Sequence, residues 1–209
     1  METIVVGSLG RVAYLHLEPG EDVLAGITNG IAELGMVAGV VLAVTGAVSN
    51  TRLSLAVDVN ASVEDPPGFV EHAGTAEVDG CGYFGRTQDS WSSEVSQIRY
   101  ESGMPFVHVH MTAALADRTV AGHLIEGCRV RSVHPSSHFI VVVAEVDGVD
   151  LVYRRGGKAM PGYPMGAPFY ELRQTSAGDG FPSQCSSGAV EPGQQHFLGQ
   201  WSFVREEAV

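Results

Sequence analysis

Cysteine is scarce in this 209-residue chain: Cys81, Cys128 and Cys185 are an odd number, far apart and without a CxxC pair. That excludes a disulfide framework and a thiolate zinc knuckle, and leaves three buried or incidental thiols. Positive charge is scarce too. Twelve Lys and Arg stand against 24 Asp and Glu, a formal net charge of −12, so a nucleic-acid polyanion is repelled on average and its binding demands a concentrated basic patch. The one candidate patch is YRRGGK, with Arg154, Arg155 and Lys158, which reads as a solvated strand end. Long apolar runs are missing: the best, MVAGVVLAV from Met36 to Val44, has the length of a buried strand and not of a membrane span. The opening METIVVGSLGR carries no basic region followed by an apolar stretch and a small-residue cleavage site, so a cytoplasmic protein without a membrane partner is expected. No internal repeat is visible.

What is present suits a turn-rich globular domain: 44% hydrophobic residues, 17% charged and 26 glycines, in a chain long enough to bury a real core but short for two full domains. RVAYLHLEPG alternates apolar and polar residues and stops at Pro19-Gly20, as a half-buried strand does. EDVLAGITNGIAELG then spaces Leu24, Ile27, Ile31 and Leu34 by 3, 4 and 3, with acidic residues at its start and Gly35 as a C-cap. This is the one clear helix, weakened by internal Gly26 and Gly30. From Met36 the period becomes that of strands: MVAGVVLAVTG, TRLSLAVDV, a turn through Asp65 to Gly68, FVEHAGTAEV, PFVHVHMTA, TVAGHLIEG, RVRSVH, HFIVVVAEV and DLVYR. The predicted fold class is α+β, with one main helix and a mixed, mostly antiparallel sheet.

Two segments break the pattern. Cys81 to Gly103 has no sustained period but carries Tyr83, Phe84, Trp91 and Tyr100, and an insertion of that length is expected to form a lid or a subunit contact. Beyond Arg155 the chain turns rich in Gly, Pro and Ser before a last apolar patch, FLGQWSFV. The expected organisation is a domain over 1–155, interrupted by the insertion 81–103, and an irregular extension over 156–209 that packs on the domain or on a neighbouring subunit.

The chemistry concentrates in PFVHVHMTAALADRTVAGHLIEG, Pro105 to Gly127. Alternate residues of a strand share a face, so His108 and His110 project from one side. A hairpin closed symmetrically by Ala116 to Thr119 sets His123 opposite Thr112 and diagonal to His110, on that same face. Neutral imidazole is the commonest metal ligand, and three of them leaving a fourth position open is a catalytic zinc pattern. An open position takes water or a substrate carbonyl, which the metal polarises. The same trio also suits hydrogen-bonded core histidines or three separate surface residues. Glu77, Glu71 and Glu126 are candidates to orient the imidazoles, Glu126 pointing to the other face. Glu77 or Glu71 is a candidate general base or proton donor, and Arg52 or Arg154 a candidate holder of a substrate carboxylate. His134 and His138 read as flanks of a turn, while His16 and His72 reach the site only if their strands border it.

LHLEPGEDVLAGI, GVVLAVTGAVSNTRL, GFVEHAGTAEVDG and PFVHVHMTAALADRTVAGHLIEGCRV together resemble the "plants and prokaryotes conserved" (PPC) domain, from about Arg11 to Arg155. HxH followed by GHLIEG is the most specific part. The resemblance implies a homotrimer of mixed α/β subunits, a fold related to that of the zinc enzyme acetolactate decarboxylase, and a metal on His108, His110 and His123. Members are often labelled DNA-binding, but the plant members bind through separate RGRP-type AT-hooks, and no such motif occurs here. The leading expectation is therefore a zinc (or other divalent-metal) enzyme of lyase, decarboxylase or hydrolase type acting on a small carbonyl or carboxylate substrate. A DNA-associated transcriptional regulator and a non-catalytic trimeric metal-binding scaffold or ligand sensor are the alternatives.

Overall fold

The computed structural model describes residues 4–55, 68–94, 96–133, 137–155 and 168–175, all within one unit, Met1–Ala177. Lys158, His134, Cys185, His196, the FLGQWSFV patch and most of the turn before Gly68 lie outside the described residues.

The sequence order is β1 (Ser8–Leu17), α1 (Val23–Glu33), β2 (Gly39–Ser54), β3 (Phe69–Thr87), β4 (Trp91–Ser92), β5 (Arg99–Tyr100), β6 (Pro105–Ala114), β7 (Thr119–Leu124), β8 (Arg129–Val130), β9 (Phe139–Asp147), β10 (Val149–Arg155) and β11 (Pro168–Gln174). Among the described residues there is thus one helix and a nine-stranded sheet in the order β1-β9-β2-β7-β6-β3-β10-β11, with β8 on β2. Pairing is antiparallel except between β3 and β10. No described helix is long and apolar enough to cross a membrane.

The helix forms where its spacing predicts. The Asp22 side chain accepts a hydrogen bond from the Ala25 amide, an N-cap. The far end is a Schellman turn: Gly35 at φ 62° donates to Ala32 O, and the Met36 amide donates to Ile31 O. Val23, Ile27 and Ile31 are buried. The internal glycines have a packing reason, since a Cβ on Gly26 or Gly30 would come within 2.7 or 2.8 Å of Leu17 or Leu15 of β1. They let the helix lie close on the sheet, which offsets their helix-propensity cost of about 1 kcal/mol each.

β2 and β3 are long because their β-branched and small residues pair with each other over nearly their whole length, and shifts at Val41/Val44 and Val48/Asn50 bend the pair. The bend lets the β6–β7 hairpin bridge them: β6 pairs β3, and β7 pairs β2 at Leu53↔Leu124 and Ser54↔His123. The four strands close into a ring around the main core, where Leu53, Phe84, Met111 and Leu124 are fully buried. A second, aromatic cluster of Tyr100, Phe106 and Tyr153 joins the insertion to β6 and β10.

Three elements differ from the expectations. The insertion begins only after Thr87, because Cys81–Thr87 continues β3 and pairs with β6 from Cys81↔His110 to Arg86↔Pro105; its glycines, Gly82 and Gly85, admit neighbouring backbone and hide the strand period. The hairpin closes one residue earlier than predicted, with Leu115 N donating to Arg118 O around Ala116-Asp117, so His123 pairs directly with His110 and not with Thr112. The turn keeps its length and is displaced along the chain, so the partner of His123 changes by two residues, which preserves the face. In the segment beyond Arg155, Pro168–Gln174 is a regular strand, paired with β10 from Val149↔Gln174 to Arg155↔Pro168.

Candidate metal centre

The registers set a row of side chains across four strands. Cys81 of β3 faces His110 of β6, His110 faces His123 of β7, and His123 faces Ser54 of β2. Tyr83↔His108 is the neighbouring pair on the same face. Directly opposed residues project to the same side, so the pleat brings His108, His110 and His123 together as the spacing of the sequence predicts. One ligand atom from each lies within 4.8 Å of the other two. His108 Nε2 and His110 Nε2 are 3.2 Å apart.

These distances fit a small divalent ion. Two Zn–N bonds of about 2.0–2.1 Å at a tetrahedral angle hold their nitrogens roughly 3.4 Å apart. His108 and His110 already have that separation, and His123 has a ligand nitrogen within 4.8 Å of both. The protonation state fits as well. Burial, then the neighbouring His110, lowers the His108 pKa to about 4. Burial, then His108 and His110, lowers that of His123 to about 3. Both imidazoles are therefore neutral at pH 7, the form that ligates metal.

The rings are held from outside. Tyr83 stacks on His108 at 4.7 Å with the planes 8° apart, and the Tyr170 hydroxyl of β11 lies 3.1 Å from His108 Nδ1. His110 and His123 open on a cavity of about 850 Å³, whose wall also holds Asp79, Cys81, Ser54, Thr112, Leu42 and Ile98. Ser96 and Ile98 come from the insertion. Its short β4–β5 hairpin is rooted in the aromatic cluster, with Trp91 at 6.4 Å and 6.2 Å from Tyr100 and Tyr153.

The expected acid–base residues are not brought to the trio. Glu77 pairs with Ala114, four strand positions from Cys81, or roughly 13 Å along β3. Glu71 pairs with Arg52, and their side chains form an ion pair at 3.7 Å. Arg52 also donates to Glu126 O at 3.1 Å and to Gln97 Oε1 at 3.3 Å, so its guanidinium is occupied at the rim. The carboxylate that does line the cavity is Asp79, opposite Thr112 and two positions from Cys81. Its signal lay in the β3–β6 register, which no local pattern reveals. Tyr170 sits in the Gly- and Pro-rich stretch, where nothing marked it.

The other histidines stay apart. His138 Nδ1 and His16 Nε2 are 3.3 Å apart, but Glu18 approaches the opposite nitrogen of His16 at 3.7 Å, so these donors do not converge. His72 of β3 pairs with Thr51 of β2. The basic patch is partly neutralised: Arg154 meets Glu171 at 2.6 Å, and Glu171 also binds Arg173 at 2.7 Å.

Comparison with known proteins agrees with this fold. The structure resembles a plant- and prokaryote-conserved (PPC) protein of Pyrococcus horikoshii, at 17% identity over 79% of this chain and 97% of that one, with a TM-score of 0.56. It also resembles a metal-containing protein of Archaeoglobus fulgidus, at 17% identity over 79% and 99%, with a TM-score of 0.55. A Bacteroides thetaiotaomicron protein with a provisional DNA-binding name matches at 15% identity over 79% and 96%, with a TM-score of 0.51. Identities this low carry the fold alone. No curated protein matches. The Plants and Prokaryotes Conserved (PCC) domain model matches residues 5–145, most of the chain and all of the ring of strands that carries the histidines, and the protein belongs to that family.

Proposed function

We propose that this protein is a metal-dependent enzyme in which His108, His110 and His123 hold a divalent ion, zinc by preference, for lyase, decarboxylase or hydrolase chemistry on a small carbonyl or carboxylate substrate. The observation that carries the reading is the convergence of three imidazoles, two of which, His110 and His123, line a cavity of about 850 Å³, since a structural zinc site closed by four ligands needs no such space. The metal-containing relative from Archaeoglobus fulgidus lends support to the metal.

When bound, the ion supplies Lewis-acid polarisation of a substrate oxygen or of water. The remaining work falls to the chain. Asp79, in the cavity wall, is the carboxylate suited to take a proton from the substrate and return it. Thr112 offers a hydroxyl to substrate oxygens, while Leu42, Ile98 and Met111 exclude water from that side. Glu77 and Glu71 are weaker candidates for the acid–base role because of their distance, and Arg52 acts at the rim. The family resemblance supports a homotrimer, with residues 156–209 as an extension on the domain or a neighbouring subunit.

The test starts with metal analysis of untagged protein, which should give about one equivalent per subunit, as expected of a single three-ligand site. A His108→Ala, His110→Ala double variant should lose it. Loaded wild type is then offered small oxo- and hydroxycarboxylates and esters, with CO2 and acid release as readouts. Metal without turnover across that panel moves the assignment to a scaffold or sensor. The DNA-associated reading is favoured only by the names of relatives such as the Bacteroides thetaiotaomicron protein. It requires retardation of duplex DNA that weakens steeply as salt rises, against a net charge of −12.

A further inference from the structure

The ring of His108 is contacted at both nitrogens. Nε2 faces His110 Nε2 at 3.2 Å, on the side where the three imidazoles meet. Nδ1 faces the Tyr170 hydroxyl at 3.1 Å, and that hydroxyl lies 3.1 Å from the hydroxyl of Tyr100. The chain Tyr100–Tyr170–His108 thus runs from the insertion hairpin, through β11, to the centre. Neither tyrosine is free to swing away: Tyr170 packs at 5.1 Å from Phe106 and 5.3 Å from Tyr153, and Tyr100 at 4.6 Å from Tyr153.

We infer that Tyr170 is a positioning residue of the three-histidine centre, its hydroxyl fixing the ring and tautomer of His108 so that Nε2 is the nitrogen presented to the ion; the inference rests on the metal-centre reading above. An imidazole that binds metal through one nitrogen carries its proton on the other, and that N–H needs an acceptor. The Tyr170 oxygen meets the need, because a phenol hydroxyl both accepts and donates. With Nε2 on the ion, His108 Nδ1–H donates to Tyr170. In the metal-free centre the same contact favours the tautomer with its proton on Nδ1, which leaves Nε2 free for the ion. Tyr170 lies beyond residues 5–145, the span matched by the family domain, so this chain supplies the partner from its own C-terminal segment.

The experiment compares wild-type full chain with Tyr170→Phe, which keeps the ring packing and removes only the hydroxyl. Zinc affinity, measured by competition with a chromogenic chelator, should fall by about 10–100-fold, the usual effect of losing an outer partner of a ligating histidine. Tyr100→Phe leaves the Tyr170 hydroxyl in place and should cost less. The second readout needs no turnover: nitrogen-15 NMR of the His108 ring, whose metal-free tautomer population should shift in Tyr170→Phe. In zinc-loaded wild type it should report a proton on Nδ1. Unchanged zinc affinity in Tyr170→Phe, unmoved His108 signals, or coordination through Nδ1 in the wild type each overturns the inference. Should the wild type take up no zinc, the metal-centre reading falls by itself, and the His108 signals of the two metal-free chains still decide whether Tyr170 holds the ring.

Discussion

His110 and His123 face each other across adjacent antiparallel strands, one exposed and the other buried to 7% exposure. The pair joins solvent to the interior at one point of the sheet, and the difference in burial separates ligation from folding. Truncating the exposed member, His110→Ala, should leave unfolding free energy within about 0.5 kcal/mol of wild type, as surface substitutions do. Zinc affinity should nevertheless fall by more than the ~100-fold that loss of an outer partner causes, because a ligand itself is gone. Urea unfolding of the metal-free chains and chelator competition measure the two effects. Equal metal affinity in the two proteins would remove His110 from the centre.

Backbone spacing should matter as much as the ligands. Gly122 precedes His123 on β7, and a Cβ there would lie 2.4 Å from Ser54 O and 3.1 Å from the Leu53 Cβ on β2. Backbone does not give way as a flexible side chain does, so Gly122→Ala must push β7 from β2 and carry His123 with it. The expected cost is about 1–3 kcal/mol of stability, as for other overpacked sites, together with weaker zinc binding although every imidazole remains. Urea unfolding of the metal-free chains checks the first half, and isothermal titration with zinc checks the second. Full zinc affinity would mean that the trio tolerates a displaced β7.

The histidine centre was legible because period-2 alternation is local. His108 and His110 must share a face in any strand, and an even register error left His123 on that face as well. The helix was legible for a similar reason, its spacing and caps lying within fifteen residues. Pairings between segments far apart in the chain were not legible. Asp79 enters the cavity through the β3–β6 register, and Tyr170 through a strand flanked by Gly and Pro. Glu77 and Glu71 were attractive as carboxylates on a neighbouring strand, but distance along β3 and the pairing with Arg52 take them elsewhere. Sequence pattern fixes which face a residue takes and leaves open how far along the strand its partner lies.

Acid should destabilise the metal-free protein in a defined window. An unfolded histidine titrates near 6.5, whereas the folded values are lowered to about 4 for His108 and about 3 for His123, chiefly by burial. Below about pH 6.5 the unfolded chain therefore binds more protons than the folded one, and stability falls as pH falls. The contribution is complete above the unfolded value and is lost on descending through the folded values. Thermal unfolding of chelator-treated protein from pH 7 to pH 4 should show a falling midpoint. His123→Gln, with one such group removed, should fall less steeply. Parallel slopes in the two proteins would show that the acid sensitivity arises elsewhere.

The insertion is latched to the rim of the cavity by Arg52, whose NH2 donates to Gln97 Oε1 at 3.3 Å while its Nε lies 3.7 Å from Glu71. Gln97 stands at φ 59°, a left-handed conformation uncommon outside glycine that persists only where the surroundings hold it. Ser96 and Ile98 on either side of it line the histidine cavity, so releasing the latch should open that wall while the hairpin root at Trp91 and Tyr100 stays packed. Arg52→Ala removes the guanidinium from Gln97, Glu71 and the Glu126 carbonyl together, whereas Gln97→Gly frees only the tip and relieves its backbone. Both variants should raise amide exchange over residues 96–98, with less change at Tyr100, and neither should reduce zinc uptake, since no histidine moves. Arg52→Ala should also cost roughly 1–3 kcal/mol of stability, because its partly buried charged hydrogen bonds are lost. Unaltered exchange at 96–98 in both variants would mean that the segment is held by its hairpin root alone, leaving Arg52 as a tie between β2 and the Glu126 turn.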